Sequence, residues 1–181
     1  MTYYDKNIAM NAFTSLMKQV FSAEEVETLK HNLTQEGFFS APASTKYHGN
    51  KPGGLFAHSF IVTKNLLSLT KHMRLAWERP ESPYIVGMFY DLCKCDAYVL
   101  DMDGYKHNPN MLLPGHGEKS IIIAQRVFGT LTEEEMLCIR WHMGAFDDKE
   151  NWDKYGKAIE KYPNVLWTHT ADMMAARINK I

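Results

Sequence analysis

Residues Gly53 to Leu67, read as GGLFAHSFIVTKNLL, space their apolar side chains at intervals that a helix gathers onto one side. Leu55, His58, Val62 and Leu66 form one helical stripe, so the lone histidine turns inward with the aliphatic residues around it. The same rhythm recurs over 5–20, 22–35, 54–73, 83–94, 116–128, 132–143, 151–161 and 164–180, and it predicts an all-α protein. Ser22 with Glu25, and Thr132 with Glu135, fit capping boxes that mark two helix starts. Two irregular stretches interrupt the helices, 37–54 and 94–117. In the second, Asp103-Gly104 between AYVLDM and YKH predicts a small hairpin, so a hairpin or long loop is expected near 96–113. Loops of this length in a helical domain are usually functional or disordered, and their aromatic, histidine and glycine content argues against disorder.

The chain has 181 residues, of which 45% are hydrophobic, enough for one compact domain over 1–181 that buries roughly two-thirds of its unfolded surface. No window approaches the roughly 18 apolar residues of a membrane span, and the first residues lack the layout of a signal peptide. Cys93, Cys95 and Cys138 form no paired framework. A cytoplasmic protein without disulfides or a membrane partner is therefore expected. Twenty basic and twenty-one acidic residues give a net charge of -1, which argues against long nucleic acid as a partner. A small phosphorylated substrate or a short oligonucleotide, held by a few local charges, fits this balance.

The segment Gly87 to Asp96, GMFYDLCKCD, sets Asp91 among Ile85, Val86, Met88, Phe89, Leu92 and Cys93. Burying an ionised carboxylate costs several kcal/mol unless it is paired or bound to metal. One reading is an ion pair with Lys94 or a distant arginine; the other is a metal ligand. Asp172 repeats the pattern in VLWTHTADMMAARI, again as the lone acid of its stretch. The candidate partners are His58, His142 at the end of a helix in CIRWHMG, and His116 at the start of one in LPGHGEKS. Any one of them alone reads as an ordinary hydrogen-bonded histidine. Three together with two isolated acids suit iron, manganese, zinc or nickel, with a carboxylate able to bridge two ions.

Other polar residues carry weaker signals. Lys46, Tyr47 and His48 stand in the glycine-flanked loop before His58, where they would contact a phosphate or stack on a base, or simply form an ordered surface loop. His169 shares a helix face with Asp172 and is expected to support it by a hydrogen bond. Arg140 and Lys119 are expected at the surface, and Cys93 and Cys95 as buried thiols. His31, His72 and His107 have no supporting context.

The order His58, Asp91 with Lys94, GHGEKS, IRWHMG and HTADMMA resembles the HD-domain metal-dependent phosphohydrolases over about 39–177, with two N-terminal helices in 1–35 ahead of the match. The stretch FFSAPASTKYHGNKPGGLFAHS also resembles the lead-in segment of bacterial members that include an exoribonuclease branch. The resemblance implies a single helical HD-domain fold and hydrolysis of a phosphate ester of a nucleotide or short oligonucleotide. It also implies one or two divalent ions, drawn from Fe, Mn, Zn, Ni or Mg. Position by position, it assigns His58, Asp91 and Asp172 to one ion, and Asp91, His116 and His142 to the other. Asp91 and Lys94 would then be the catalytic pair, Lys94 steadying the phosphate, and Lys46, Tyr47 and His48 would line the substrate. One position departs from the family: Tyr90 stands where its paired histidine would be, and a neutral phenol is a poor ligand. A protein so altered would alternatively serve as a nucleotide-binding or regulatory module.

Overall fold

A computed structural model describes residues 3–47 and 49–181. Eight α-helices are present among them: α1 (Lys6–Met17), α2 (Ala23–Gln35), α3 (Gly54–Met73), α4 (Ser82–Phe89), α5 (Gly117–Phe128), α6 (Glu133–Arg140), α7 (Trp152–Lys161) and α8 (Asn164–Met173). Strands β1 (Tyr98–Asp101) and β2 (Gly104–His107) form an antiparallel hairpin, with Tyr98 opposite His107 and Asp101 opposite Gly104. The architecture is all-α, with the hairpin as its only sheet among these residues. No helix is long and apolar enough to cross a membrane, and the three cysteines are unpaired.

Both anticipated capping boxes form. Ser22 Oγ accepts from the Glu25 amide while Glu25 accepts from the Ser22 amide, and Thr132 and Glu135 exchange the same pair of bonds. Glu135 does more than cap. It is fully buried, and its carboxylate also accepts from Arg79 at 2.7 Å and from the Ser82 hydroxyl, tying the start of α4 to the start of α6.

Helix α3 is the central post, packing on α4, α8 and α1. Its stripe of Leu55, Val62 and Leu66 is buried as the spacing requires, and His58 is buried with it. One hydrophobic core runs from Ala9 in α1 to Ala175 beyond α8. Phe13, Phe38, Phe39 and Phe56 build its N-terminal end through edge-to-face and tilted ring contacts, which ties α1 and the 37–54 segment to α3.

Four predicted helices end earlier than their periodicity suggests, the first being the 5–20 segment, which stops at Met17. The 83–94 segment leaves the helix after Phe89. Asp91 takes φ -117° and ψ 20°, and a 3₁₀ turn follows over Leu92–Cys95. The Cys93 amide donates to Ser120 Oγ at 3.0 Å, so a side chain of α5 satisfies a donor that a longer helix would have used. The 132–143 segment stops at Arg140, which leaves His142 in the following turn, and the 164–180 segment widens into a π-turn over Met174–Asn179. Two surface assignments are also corrected. Lys119 is buried, because its ammonium reaches the carboxylate of Asp96, and Arg140 is largely covered by ion pairs to Glu118 at 2.5 Å and Asp147 at 2.6 Å.

Helices α3 and α4 approach closely at Gly87, where an added Cβ would lie 2.7 Å from Thr63 Cα and 2.8 Å from its Oγ1. Helix propensity alone favours alanine there by about 1 kcal/mol. The contact wins, because backbone of a central helix cannot retreat as a flexible side chain would. Gly87→Ala is therefore expected to destabilise the protein by about 1–3 kcal/mol, seen as a lower denaturant midpoint at unchanged slope.

Candidate metal centre

Asp91 leaves α4 at the point where its side chain can meet the start of α5 and the turn after α6. Its carboxylate is 2% exposed and its two oxygens have separate tasks. Oδ2 pairs with Lys94 Nζ at 2.6 Å. Oδ1 faces two imidazoles, with His116 Nε2 at 3.2 Å and His142 Nε2 at 4.0 Å. The three ligand atoms lie within 4.8 Å of one another, forming a buried Asp/His/His group that could hold a metal ion. Neither Nε2 has a hydrogen-bond partner among the described residues, so the His116–Asp91 approach is close without being an aligned hydrogen bond.

Each imidazole is aimed by its other nitrogen. His142 Nδ1 donates to the Ile139 carbonyl at 2.7 Å, and the two rings stand 5.0 Å apart. A carbonyl only accepts, so the neutral ring carries its proton on Nδ1 and turns the Nε2 lone pair into the group. Burial, helped by the nearby His116, lowers the His142 pKa to about 4, which keeps the ring neutral at pH 7. His116 Nδ1 lies 3.2 Å from Cys93 Sγ, so the cysteine orients the ring instead of joining the ligands. Burial pulls the His116 pKa down, but Asp91 and Cys93 outweigh it and push it up to about 10. Burial also works against ionised Asp91, and Lys94 first, then His116, hold its carboxyl well below the usual range.

The backbone is fixed tightly around these rings. His169 Nδ1 contacts the His142 carbonyl oxygen at 2.7 Å, so the histidine expected to support Asp172 instead secures the turn that carries His142. At the start of α5, a Cβ on Gly117 would lie 2.3 Å from the Arg140 carbonyl oxygen. Only glycine lets α5 approach the end of α6 closely enough to set His116 beside His142.

The other proposed ligands form a neighbouring but closed cluster. His58 Nε2 donates to Asp172 Oδ1 at 2.8 Å, and its Nδ1 meets the main-chain oxygen of Ile181 at 2.6 Å. The Tyr90 hydroxyl donates to the same Asp172 oxygen at 3.1 Å. Burial and the Asp172 charge raise the Tyr90 pKa well above its ordinary value, so the hydroxyl remains a donor. Its ring packs edge-on against His142, with centroids 4.7 Å apart. Asp91, His116 and His142 thus converge as an open set, whereas His58 and Asp172 hydrogen-bond each other.

Two clefts lie nearby, one reached through Lys94, the partner of Asp91, and the other through His116. One, of about 440 Å³, is lined by Lys94, Asp172, Tyr47, Phe146 and Arg177 among others. The second, of about 330 Å³, is lined by His116, Arg140, Glu118 and Asp147, and Met143 and Phe146 border both. Tyr47 therefore stands at a cleft wall, Lys46 is exposed on the same loop outside that wall, and His48 lies outside the described residues. Phe146, Met143 and Arg177 have no counterpart in the sequence reading: Met143 and Phe146 lie in the turns after α6, where periodicity carries no signal, and Arg177 lies in the π-turn after α8. Cys95 is a thiol whose pKa burial raises, not a ligand. Comparisons with models of known families, with curated proteins and with solved structures give no match.

Two predictions concern the centre. Metal-free His116 holds its proton up to about pH 10 against 6.5 in an unfolded chain, so its contribution to stability is complete below about 6.5 and is lost as pH rises towards 10. His142 acts in the other window, since its lowered pKa removes stability as pH falls from 6.5 towards 4. Metal-free stability should therefore peak near pH 6.5. Affinity for Mn2+ or Zn2+ should climb with pH above it by up to about tenfold per unit, as each ion displaces one proton from His116. Calorimetry in buffers of different ionisation enthalpy counts that proton.

The second concerns Tyr90. Tyr90→His removes the hydroxyl from Asp172 and should cost the metal-free protein about 1–3 kcal/mol. By supplying an imidazole it should also raise the bound metal from about one ion per chain towards two. Elemental analysis and thermal unfolding with and without Mn2+ test both halves. An unchanged ion count with lower stability would make Tyr90 a packing residue alone.

Proposed function

We propose that this protein is a metal-dependent phosphohydrolase of the HD-domain type, acting on a phosphate ester of a nucleotide or short oligonucleotide, with its ion held by Asp91, His116 and His142. The observation that carries this reading is the pair of buried Nε2 atoms left without hydrogen bonds and turned towards one carboxylate oxygen. Leaving the neutral His142 Nε2 unpaired costs about 1–3 kcal/mol, and a cation shared with Asp91 and His116 would remove that cost. A divalent ion there supplies Lewis-acid polarisation of a phosphate oxygen and makes water more acidic near neutral pH.

The chain's own residues supply the rest. Lys94 lines the larger cleft while its ammonium neutralises Asp91, so its charge can draw a phosphate towards the centre while the buried carboxylate stays paired. Burial of Asp91 and His142 excludes water and strengthens electrostatic interactions with a bound phosphate. A second reading, a nucleotide-binding or regulatory module with weakened catalysis, is favoured by one observation: Tyr90 and His58 together occupy Asp172 Oδ1, which withdraws that carboxylate oxygen from metal binding.

Elemental analysis of protein purified without chelator, together with a phosphoesterase assay, separates these readings. Wild type is expected to carry about one ion per chain and to hydrolyse nucleotide esters in a metal-dependent way. Asp91→Ala should lose both ion and activity, since it removes the ligand that both histidines face. Full metal retention in that variant would make Asp91 an ion-pair partner of Lys94 only. Metal binding without hydrolysis would favour the binding module.

A further inference from the structure

We propose that β1 is an interaction edge whose partner is a second copy of this chain, the two hairpins joining side by side into one antiparallel sheet about a two-fold axis at Val99. None of the residues involved is a ligand of the proposed metal centre, and the pairing needs no ion. The hairpin concentrates exposed apolar side chains: Val99 is 40%, Leu100 71% and Met102 99% exposed. It is also a lone pair of strands, and two strands by themselves are marginally stable in water. Bonded and non-bonded positions alternate along an antiparallel ladder, so the bond from the Asn108 amide to the Ala97 carbonyl fixes the phase. Val99 and Asp101 turn their polar backbone groups towards β2. Tyr98 and Leu100 turn theirs outward, where β1 meets no other strand among the described residues.

The two edges of the hairpin are unlike. β2 carries Gly104 and Lys106, residues that discourage strand addition, whereas β1 presents Tyr98, Val99 and Leu100 without a charge. A two-fold axis at Val99 lets this edge pair with itself: Tyr98 and Leu100 exchange backbone bonds with Leu100 and Tyr98 of the partner subunit. Tyr98 then lies beside Leu100 of the partner subunit, and Val99 beside Val99 of the partner subunit, aromatic–aliphatic and β-branched pairs of the kind that stabilise sheets. Centring the axis on Leu100 instead would set Val99 against Asp101 of the partner subunit and run Tyr98 into the turn residue Met102. Charge allows the first register. The two Asp101 carboxylates stand at opposite ends of the joined strands, and each is already held by its own Lys106 at 2.7 Å. A net charge of -1 per chain adds little repulsion. A lipid surface fits the same apolar residues poorly, because Asp101 and Asp103 flank Met102 and would face anionic headgroups.

Sedimentation equilibrium of the full chain over a concentration series reads the association. Wild type is expected to dimerise with a micromolar dissociation constant, as suits a short edge. Val99→Lys sets two ammonium groups opposite each other and should weaken the dimer at least about tenfold, and Val99→Glu should do the same with two carboxylates. Mixing the two variants should restore association to at least the wild-type strength, because an axis at residue 99 sets lysine directly against glutamate. Misfolding of either variant would not be rescued in this way. Leu100→Pro removes an outward amide while leaving the bonds to β2 in place, and should weaken the dimer by about tenfold. Wild type that stays monomeric up to about 1 mM overturns the proposal, as does a dimer unaffected by Val99→Lys or a lysine–glutamate mixture that stays apart. Co-flotation of a monomeric wild type with phosphatidylserine-containing vesicles would overturn it too, and assign the patch to lipid.

Discussion

A single buried carboxylate determines how the centre of this molecule is built. Asp91 remains ionised at 2% exposure chiefly because Lys94 neutralises Oδ2, three residues on in the same turn, with His116 adding to the effect. The pairing is local, so it is made by the turn itself and leaves Oδ1 free to face elements distant in sequence. If both oxygens were satisfied within the turn, nothing would face the histidines. If neither were, burial would force the group to protonate and remove its charge from the site.

The second cluster follows the opposite logic. Asp172 meets its two donors, the His58 ring and the Tyr90 hydroxyl, at one oxygen. Both donors to Asp172 Oδ1 come from the protein, so the cluster binds α3, the end of α4 and α8 together in the metal-free state. The Asp91 group lacks that closure: His116 Nε2 meets Asp91 Oδ1 only as a 3.2 Å charge contact, and His142 Nε2 is left without a hydrogen bond. Adjacent acids of similar sequence context therefore divide into a cross-link and an open ligand set, and the residue that makes the difference is the tyrosine beside Asp91.

The helices were legible because burial of one stripe along α3 and its neighbours imposes a period on the sequence, and the capping boxes were legible because they are local. The ends at Phe89 and Arg140 were not, since a side chain from another element decides the first: the Cys93 amide turns to Ser120, which no local pattern discloses. The candidate ligands stood out as lone polar residues in apolar surroundings, a signal that physics forces on any buried acid or imidazole. How those ligands divide between clusters was hidden, because it depends on whether Tyr90 reaches Asp172. Lys119 was misplaced for a related reason: a lysine in a helix reads as surface until Asp96, brought near by the turn after Asp91, supplies its counter-charge.

The same helix ends explain why the group can be precise. His142 and Asp91 occupy turns just past α6 and α4, and His116 is the residue before α5. Residues at such positions are free of the i to i−4 ladder, so their side chains can be aimed at angles that a continuous helix does not offer. That freedom would ordinarily bring mobility. Here it is removed one bond at a time: the Ile139 carbonyl holds the His142 ring, His169 holds its backbone, Cys93 meets the His116 ring, and the Gly117–Arg140 approach fixes where α5 begins. Each restraint comes from outside the ligand set. The three atoms that could hold an ion are thereby positioned by the protein itself, so an ion there would spend little binding free energy on ordering them.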